Sequence, residues 1–230
     1  MAEKEEVKHL FNSISNHYDF LNHFLSLGFD VYWRKRAIRL LKEKRPRNIL
    51  DIATGTGDLA IEALSVEPDK VTGIDISGNM LNIGREKIKR KKLEERIELI
   101  QADAENLPFE DNTYDAITVG FGVRNFENLE RGLSEMHRVL KKGGTAVILE
   151  FSNPKRFPVK QLYNLYFQRI LPKLGRLISN HDSAYTYLPK SVKNFPYGID
   201  FISRFEKAGF QSVKCIPLCL GIVTIYAGEK

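Results

Sequence analysis

Three aspartates carry the clearest sign of chemistry in this sequence, because each stands where a predicted β-strand ends. Asp51 lies near the end of the first predicted strand, Asp75 ends the second, and Asp103 follows the third. Ligands of open α/β sheets bind outside the carboxyl ends of the strands. One acid at a strand end would most simply cap a helix or a turn, but three acids around one glycine turn predict a ligand site.

The glycine turn lies between the first two of these acids. Gly55 and Gly57 flank Thr56 directly after a short apolar strand. Glycines at these positions let the backbone turn sharply and approach a ligand without interference from a Cβ atom. The turn and the following Asp75 formally satisfy the dinucleotide-binding fingerprint. That acid would bind ribose hydroxyls in either a nicotinamide or an adenosyl cofactor, so it does not discriminate between them.

The acid that follows the turn favours one of these two cofactors. Asp58 stands where a pyrophosphate would need the positive end of a helix, and a carboxylate there would repel that group. A cofactor that carries a sulfonium and an ammonium would tolerate this acid, and Asp51 points the same way. The residues therefore favour S-adenosylmethionine over NAD.

The elements that must position these residues alternate between strand and helix, as in a doubly wound α/β fold. Strands are predicted at Asn48–Ala53, Lys70–Asp75, Ile97–Ala102, Tyr114–Gly120 and Thr145–Phe151. After a helix at 198–208, two tightly joined strands at about 211–218 and 221–227 are predicted to pair antiparallel. We therefore expect a seven-stranded, mostly parallel sheet whose last strand is antiparallel, with N-terminal helices and an inserted helical lid.

The 230 residues predict a single domain in four parts. These are an N-terminal helical cap (1–45), a cofactor-binding core (46–151), a lid insertion (152–197), and a closing helix with two strands (198–230). The insertion is rich in proline, and no Asp or Glu occurs between Phe151 and His181. Its basic residues are Lys155, Arg156, Lys160, Arg169, Lys173 and Arg176. An amphipathic pattern in the same stretch predicts helices laid over the carboxyl ends of the strands.

Composition and charge narrow the class of protein. The apolar fraction of 43% is ordinary for a globular protein, and no apolar run approaches the roughly 20 residues that span a bilayer. The first ten residues lack the apolar core of a secretory signal, so we expect a cytoplasmic protein. Cys215 and Cys219 lack a second Cys/His pair, which indicates buried thiols rather than a metal site. The net charge of +6 could favour nucleic acid or an anionic membrane surface.

Four segments of the sequence resemble the motifs of class I methyltransferases. They are Leu50-Asp-Ile-Ala-Thr-Gly-Thr-Gly-Asp58, Gly73-Ile-Asp-Ile-Ser-Gly-Asn-Met80, Gln101-Ala-Asp-Ala-Glu-Asn-Leu-Pro-Phe109 and Arg138-Val-Leu-Lys-Lys-Gly-Gly144. More specific elements resemble the ubiquinone/menaquinone biosynthesis C-methyltransferases, the UbiE/MenG family. These are Phe121-Gly-Val-Arg-Asn125, Leu149-Glu-Phe-Ser152, and Tyr18-Asp19 with Trp33-Arg34. The resemblance runs from about Phe11 to the end of the chain.

The resemblance implies an S-adenosylmethionine site and a reaction. We expect the cofactor site to comprise Asp51, Gly55, Thr56, Gly57, Asp75, Ile76, Asp103 and Ala104. Some relatives have a serine before the F-G-x-R-N element, where this chain has Gly120, so no side-chain contact is carried over there. The implied reaction is methyl transfer to a ring carbon of demethylmenaquinol, giving menaquinol; a ubiquinol precursor is the alternative acceptor.

A ring carbon is a poor nucleophile unless an adjacent phenolic hydroxyl loses its proton, so a polarising group should lie beside it. Arg124 could stabilise the phenolate and Asn125 could orient it, since both follow the fourth strand. Tyr18 could close over the ring from the N-terminal helix. An ion pair with Glu127 or Glu150 is the structural alternative for Arg124. The reaction requires no metal.

The basic, aromatic insertion could dock on anionic headgroups and admit a prenyl tail, and a homodimer is a further expectation. Two other classes of protein fit the sequence less well than a quinol methyltransferase. A nucleic-acid methyltransferase would usually carry an N/D-P-P-Y/F segment where this chain has Gly120-Phe-Gly-Val-Arg124, so no nucleic-acid partner is expected. A non-catalytic scaffold would not need three strand-end acids together with an intact F-G-x-R-N element.

Overall fold

Helices and strands alternate along the residues that the computed structural model describes, 3–166 and 182–230. The helices there are α1 (Lys4–Leu25), α2 (Phe29–Arg39), α3 (Asp58–Ala63), α4 (Gly78–Arg90), α5 (Leu129–Val139), α6 (Val159–Leu165), α7 (Asp182–Asn194) and α8 (Ile199–Lys207). The strands are β1 (Asn48–Ile52), β2 (Lys70–Asp75), β3 (Ile97–Gln101), β4 (Tyr114–Gly120), β5 (Leu140–Phe151), β6 (Gln211–Leu218) and β7 (Val223–Glu229). A 3-10 turn, Val123–Asn125, follows β4.

The strands of the described residues form one sheet in the order β3-β2-β1-β4-β5-β7-β6. Strands β1 to β5 run parallel, and β7 lies antiparallel between β5 and β6. The strand order reverses between β1 and β4, which is the switch point where open sheets bind their ligands. The predicted fold class, a mostly parallel seven-stranded sheet with an antiparallel last strand, is confirmed.

The central strands are apolar on both faces because helices cover both faces of the sheet. Along β1, Leu50 and Ile52 pack with α5 and α8, whereas Ile49 packs with α2, α3 and α4. This alternation follows from the opposite directions of successive side chains in a strand. All three side chains are fully buried, which explains why the strand reads as an apolar run rather than an alternating pattern.

β5 begins at Leu140, earlier than the predicted start at Thr145. Gly143 has a φ of +77°, which is typical of a glycine in a tight turn. Its N–H nevertheless donates to the carbonyl of Lys230 at 2.7 Å, and the Lys230 N–H donates to the carbonyl of Gly144 at 3.1 Å. The C-terminal residue thus continues the sheet pairing over the turn, through contacts that no local sequence pattern reveals.

The described part of the lid insertion forms two helices that pack together. Tyr163 of α6 and Val192 of α7 are buried in a small apolar cluster with partly buried neighbours such as Phe151. Helix α7 also contacts α1 and the turn after β4. The basic residues predicted farther along the insertion, Arg169, Lys173 and Arg176, lie outside the described residues. The division of the chain into four parts stays a prediction.

Gly132 of α5 packs closely against the aromatic ring of Phe126. A Cβ atom added there would stand 2.4 Å from Cδ2 of Phe126, although alanine is the better helix former by about 1 kcal/mol. We expect Gly132→Ala to lower the free energy of unfolding by roughly 1–3 kcal/mol, because the overpacking outweighs helix propensity. Urea denaturation measures this change. Ser134→Ala, at an exposed position of the same helix, is the matched control and should be neutral or slightly stabilising; a stabilised Gly132→Ala protein would contradict the packing.

Candidate active site

A narrow cleft lies at the carboxyl ends of the strands around the switch point, between the sheet and α1. Among the predicted cofactor-binding residues, those that line the cleft are Gly55, Asp75, Ile76, Asp103 and Ala104. Helix α1 supplies the opposite wall through Lys4, Phe11 and Tyr18, and the turn after β4 supplies Asn125. The structure therefore brings two of the three strand-end acids into one cleft.

Asp75 organises the glycine turn and also faces the cleft. Its Oδ2 accepts a hydrogen bond from the N–H of Gly55 at 2.8 Å, and its Oδ1 accepts one from the N–H of Ser77 at 2.8 Å. Desolvation raises the pKa of this carboxyl, while the backbone hydrogen bonds oppose the shift. Because each carboxylate oxygen has two lone pairs, both oxygens keep acceptor capacity for a ligand.

The N-terminal end of α1 closes the cleft above Asp103. Lys4 Nζ donates to Asp103 Oδ2 at 2.7 Å and lies 3.6 Å from Glu105 Oε2, and the hydrogen bond to Asp103 raises the pKa of Lys4. The cleft has a volume of about 80 Å³, well below the roughly 300 Å³ of a small-molecule site. A ligand of nucleoside size therefore requires this end of α1 to move.

The other predicted cofactor-binding residues, Asp51, Thr56 and Gly57, are not among the described residues that line the cleft. Asp51 is fully buried, and its two oxygens accept hydrogen bonds from the hydroxyls of Thr54 and Thr118 at 2.5 and 2.6 Å. The Thr56 hydroxyl donates instead to a carboxylate oxygen of α1. Asp51 thus fixes the turn from within the sheet and Thr56 ties it to α1, which the spacing of the motif alone does not show.

The expectation that Asp58 presents its charge to the ligand is wrong. Asp58 Oδ1 accepts a hydrogen bond from Lys87 Nζ at 2.6 Å, and its Oδ2 lies 3.5 Å from Arg34 Nη2. Lys87 Nζ also pairs with Asp19 of α1 at 2.7 Å. Asp58 is thus paired with cations rather than free to repel an anionic group, so its presence does not discriminate between cofactors.

The environment of Asp51 makes the stability of the fold depend on pH. Burial raises the pKa of Asp51 from 3.8 to about 6, although the two threonine hydroxyls oppose the shift. The folded protein then holds the proton more tightly than the unfolded chain, so the contribution of Asp51 to stability falls as the pH rises from about 4 to about 6.

We compare the free energies of unfolding of Asp51→Asn and of the parent protein. We expect their difference to change by about 1 kcal/mol in favour of the variant as the pH rises from 5 to 7.5. Urea denaturation of both proteins at the two pH values measures the difference. The same substitution at the exposed Asp69 controls for the general loss of an acid. A stability difference between parent and variant that is the same at both pH values would contradict the raised pKa.

A much larger cavity, of about 610 Å³, adjoins the cleft. Its lining among the described residues is mostly apolar and comes from α1, α2, α6, α7, the turn after β4 and the β6–β7 connection. Phe11, Tyr18 and Phe121 line both spaces and so form the wall between them. Burial raises the pKa of Tyr18 above its ordinary value, which keeps its hydroxyl protonated at neutral pH.

Arg124 brings one positive charge to this apolar cavity. Its Nη1 donates to Oε1 of Glu150 at 2.8 Å and to the carbonyl of Phe121. Glu150 is fully buried at the end of β5; burial raises its pKa, and the Arg124 guanidinium opposes the shift. Arg124 Nε is buried and has no hydrogen-bond partner among the described residues. An ion pair with Glu127 or Glu150 was the structural alternative to a catalytic role for Arg124. The structure contains the pair with Glu150, and Arg124 also lines the cavity.

Asn125 accepts a hydrogen bond from a residue that no sequence pattern indicated as part of the site. The hydroxyl of Tyr187, in α7, donates to Asn125 Oδ1 at 2.8 Å, and Tyr187 lines the large cavity together with Tyr163 of α6. Burial raises the pKa of both tyrosines. The aromatic content of the insertion was the only signal for these residues, and it does not reveal which tyrosine contacts the turn after β4.

The strand order, the acidic cleft at the switch point and the adjoining cavity define the class of protein, a methyltransferase with the class I fold. A SAM-dependent methyltransferase from Thermotoga maritima has this fold, with a TM-score of 0.67, 20% identity, and coverage of 97% of this chain and 99% of its own. A second, from Aquifex aeolicus, has a TM-score of 0.59 at 18% identity and covers 83% of this chain and 88% of its own.

The chain belongs to the ubiE/COQ5 methyltransferase family, whose pattern it matches over residues 1–230. The demethylmenaquinone methyltransferase of Bacteroides fragilis is 48% identical over 99% of this chain and 94% of its own length. The one from Porphyromonas gingivalis is 44% identical with the same coverage. The ubiquinone/menaquinone biosynthesis C-methyltransferase UbiE of Geotalea daltonii is 44% identical over 100% of this chain and 99% of its own. The resemblance read from the motifs is confirmed.

Within the described ranges, no helix combines the length and the apolar character that crossing a membrane requires.

Proposed function

We propose that this chain methylates a ring carbon of demethylmenaquinol, with S-adenosylmethionine as the methyl donor, to give menaquinol. The observation that carries the proposal is the wall shared by the two spaces. An acidic cleft and an apolar cavity that contains one buried arginine meet at Tyr18 and Phe121. The demethylmenaquinone methyltransferases that share 44% and 48% identity with this chain support the choice of acceptor.

The residues of the cleft fit an adenosyl cofactor. Asp75 and Asp103 offer carboxylate acceptors from neighbouring strands, and the apolar Ile76 and Ala104 lie beside them. Ribose hydroxyls need acceptors of this kind, and a flat base needs apolar neighbours and an acceptor for its amino group. We assign Asp75 to the ribose hydroxyls, and Asp103, Ile76 and Ala104 to the adenine. S-adenosylmethionine supplies an electrophilic methyl group on a positively charged sulfur.

The remaining predicted cofactor residues act in this proposal by shaping the turn. Gly55 has a φ of +57°, and a Cβ atom there would stand 3.8 Å from the ring of Tyr18, inside the cleft. Gly57 has a φ of +82° at the start of α3. Asp51 and Thr56 fix the same turn through their hydrogen bonds. Their substitution should therefore weaken cofactor binding through the shape of the turn rather than through a lost contact.

The large cavity fits the acceptor because its size and lining suit an aromatic ring with an apolar tail. A cavity of about 610 Å³ lies within the range of roughly 300–1,000 Å³ that holds small molecules. The described lining includes Phe29, Trp33 and Leu162 on the side away from the cleft. We propose that the ring lies against the shared wall and that the prenyl tail extends along these residues towards the surface.

Arg124 is the residue that makes the ring carbon nucleophilic in this proposal. A cation next to a phenolic oxygen stabilises the phenolate, and the effect is large in a cavity that excludes water. Asn125, held by Tyr187, orients the same oxygen, and Tyr18 positions the ring against the cleft. Methyl transfer between two aligned groups needs positioning and the exclusion of water more than any covalent catalysis. The methylated ring carbon then loses its proton.

A ubiquinol precursor is the second candidate acceptor. The relative from Geotalea daltonii is named for both quinone pathways and is as similar to this chain as one of the demethylmenaquinone methyltransferases. Both acceptors present a phenolic oxygen next to an unsubstituted ring carbon, so the same residues would serve either.

The test is an assay of the purified protein with S-adenosylmethionine and reduced, short-chain demethylmenaquinone, with a ubiquinol precursor in a parallel reaction. We expect menaquinol, the methylated product, by mass spectrometry and a slower reaction, or none, with the ubiquinol precursor. Product from neither acceptor would overturn the proposed function. Faster turnover of the ubiquinol precursor would favour the second candidate.

Arg124→Lys separates a role in chemistry from a role in folding, because it keeps the positive charge opposite Glu150 but loses the planar guanidinium. An ammonium that pairs with Glu150 lacks the planar fork that can also donate to the phenolic oxygen. We therefore expect kcat to fall by up to about 10² to 10³-fold, the cost of losing one such donor, with the Kd for S-adenosylhomocysteine unchanged within about threefold. Steady-state kinetics and calorimetry measure the two quantities. Arg138→Lys, at an arginine that pairs with Glu135 and Asp111 away from the cavity, is the matched control. Equal losses in turnover and in cofactor affinity would argue against a catalytic Arg124.

We propose that the protein is located in the cytoplasm. There it makes peripheral contact with an anionic membrane that holds the prenylated quinol. In support, the described part of the lid insertion exposes Lys155, Arg156 and Lys160, and residues 152–166 contain no acid. Such a surface attracts anionic headgroups. The homodimer stays a prediction, which light scattering on the purified protein would measure.

A further inference from the structure

Two loops that line the large cavity each expose a leucine. Leu27, between α1 and α2, is 79% exposed, and Leu220, between β6 and β7, is 78% exposed. Both residues also line the cavity, so they stand at its mouth. Phe29 and Leu162 line the cavity as well and are more than half exposed. Among the described residues, four large apolar side chains of the lining therefore face solvent.

The two leucines share an unusual backbone conformation. Leu27 has a φ of +52° and Leu220 a φ of +59°, and each precedes a glycine, Gly28 or Gly221, with a φ of +77° or +90°. The left-handed region is disfavoured for residues with a Cβ atom, and Asn or Gly normally occupies it. Each leucine thus combines backbone strain with the exposure of an apolar side chain. Neither the backbone strain nor the exposed leucine side chain stabilises the isolated molecule. Together they indicate a surface that binds a partner protein or a membrane.

Basic residues stand beside this mouth. Arg156 and Lys160 are exposed around the first turn of α6, next to Val159 and Leu162, which line the cavity. No acidic residue occurs in the sequence from 152 to 166. An apolar tip flanked by cations complements an anionic bilayer, in which hydrocarbon receives the apolar side chains and headgroups receive the cations.

We propose that Leu27 and Leu220 insert into the surface of an anionic lipid bilayer and join the mouth of the cavity to the hydrocarbon region. A second protein seated on both leucines would cover the mouth. A bilayer is itself an apolar phase with which an apolar cavity can be continuous. The proposal deepens the proposed function, on which it rests for the prenylated acceptor: the quinol ring would enter the cavity while its tail stays in lipid.

The test uses the full chain and vesicles of phosphatidylcholine, with or without phosphatidylglycerol. Trp33 is the only tryptophan of the sequence and lines the cavity, so energy transfer from Trp33 to a dansyl lipid reports binding. We expect the parent protein to bind vesicles that contain phosphatidylglycerol and to bind phosphatidylcholine alone more weakly. No transfer with either vesicle would overturn the proposal.

Asparagine is the informative replacement, because it tolerates the left-handed conformation and is polar. We expect Leu27→Asn and Leu220→Asn each to weaken vesicle binding about tenfold, since a leucine side chain no longer leaves water. The Tm of each variant should stay the same or rise, because backbone strain is relieved. Ile199→Asn, at a residue that is 81% exposed but outside the described lining of the cavity, is the matched control and should leave vesicle binding unchanged.

Three results would overturn the proposal. One is unchanged vesicle binding by the double leucine variant, and another is an equal loss in Ile199→Asn. The third is a change from dimer to monomer without any change in vesicle binding, which would assign the surface to a second copy of this chain. Replacing Arg156 and Lys160 with glutamine should weaken binding only to the vesicles with phosphatidylglycerol; an equal effect on both vesicles would contradict the anionic partner.

The vesicle assay contains neither cofactor nor quinol, so it separates this proposal from the proposed function. Vesicle binding that depends on the leucines would support the surface even if no quinol were methylated. Methylation of a short-chain quinol by a protein that binds no vesicles would overturn the surface alone.

Discussion

The buried ion pair between Arg124 and Glu150 is the constraint on which the site depends. A guanidinium removed from water is stable only next to a compensating charge, and removal of one partner from such a pair typically costs about 3–5 kcal/mol. Glu150 sits at the end of β5 and Arg124 in the turn after β4, so the pair forms only when these strands are adjacent. Their register aligns Gly120 with Leu149, and the N–H of Phe121 donates to the Leu149 carbonyl at 2.7 Å. The sheet thereby fixes a buried cation in the lining of a mostly apolar cavity.

Helix α1 depends on the sheet in a different way. Polar contacts hold it along its length: Lys4 to Asp103, Asn12 to Ser77 and Asp19 to Thr56. Such hydrogen bonds exchange readily with water and contribute roughly 0.5–1.5 kcal/mol each. The sheet, by contrast, is held by fully buried apolar side chains on both faces. The helix that closes the cleft at the switch point is therefore held in part by contacts that water can replace one at a time. The cleft, of about 80 Å³, could widen in this way for a larger ligand.

The sequence predicted the fold and much of the cleft because the relevant signals are local. Apolar runs that alternate with helical periodicity define the strands, and acids at their ends must meet at one edge of a parallel sheet, as Asp75 and Asp103 do. The partners of a charged side chain are not local. Asp58 was expected to repel a pyrophosphate, because nothing in the neighbouring sequence shows that Lys87 of α4 and Arg34 of α2 reach it.

The same limit applies to Asp51, whose hydroxyl donor Thr118 comes from another strand. It applies as well to Lys4 and Tyr187, which reach the site from elements far away in the chain.

Phe11, Tyr18 and Phe121 belong to both spaces, and this has an evolutionary consequence. Under the proposed function, a substitution that reshapes the acceptor side at these positions also reshapes the donor side, so the wall is poorly placed to accumulate changes in acceptor preference. The lining on the side away from the cleft comes from α2, α6, α7 and the β6–β7 connection. The described residues of these elements line the large cavity but not the cleft. Divergence among relatives, and any library built to accept a new ring or a different tail, should therefore concentrate on that lining while the wall stays fixed.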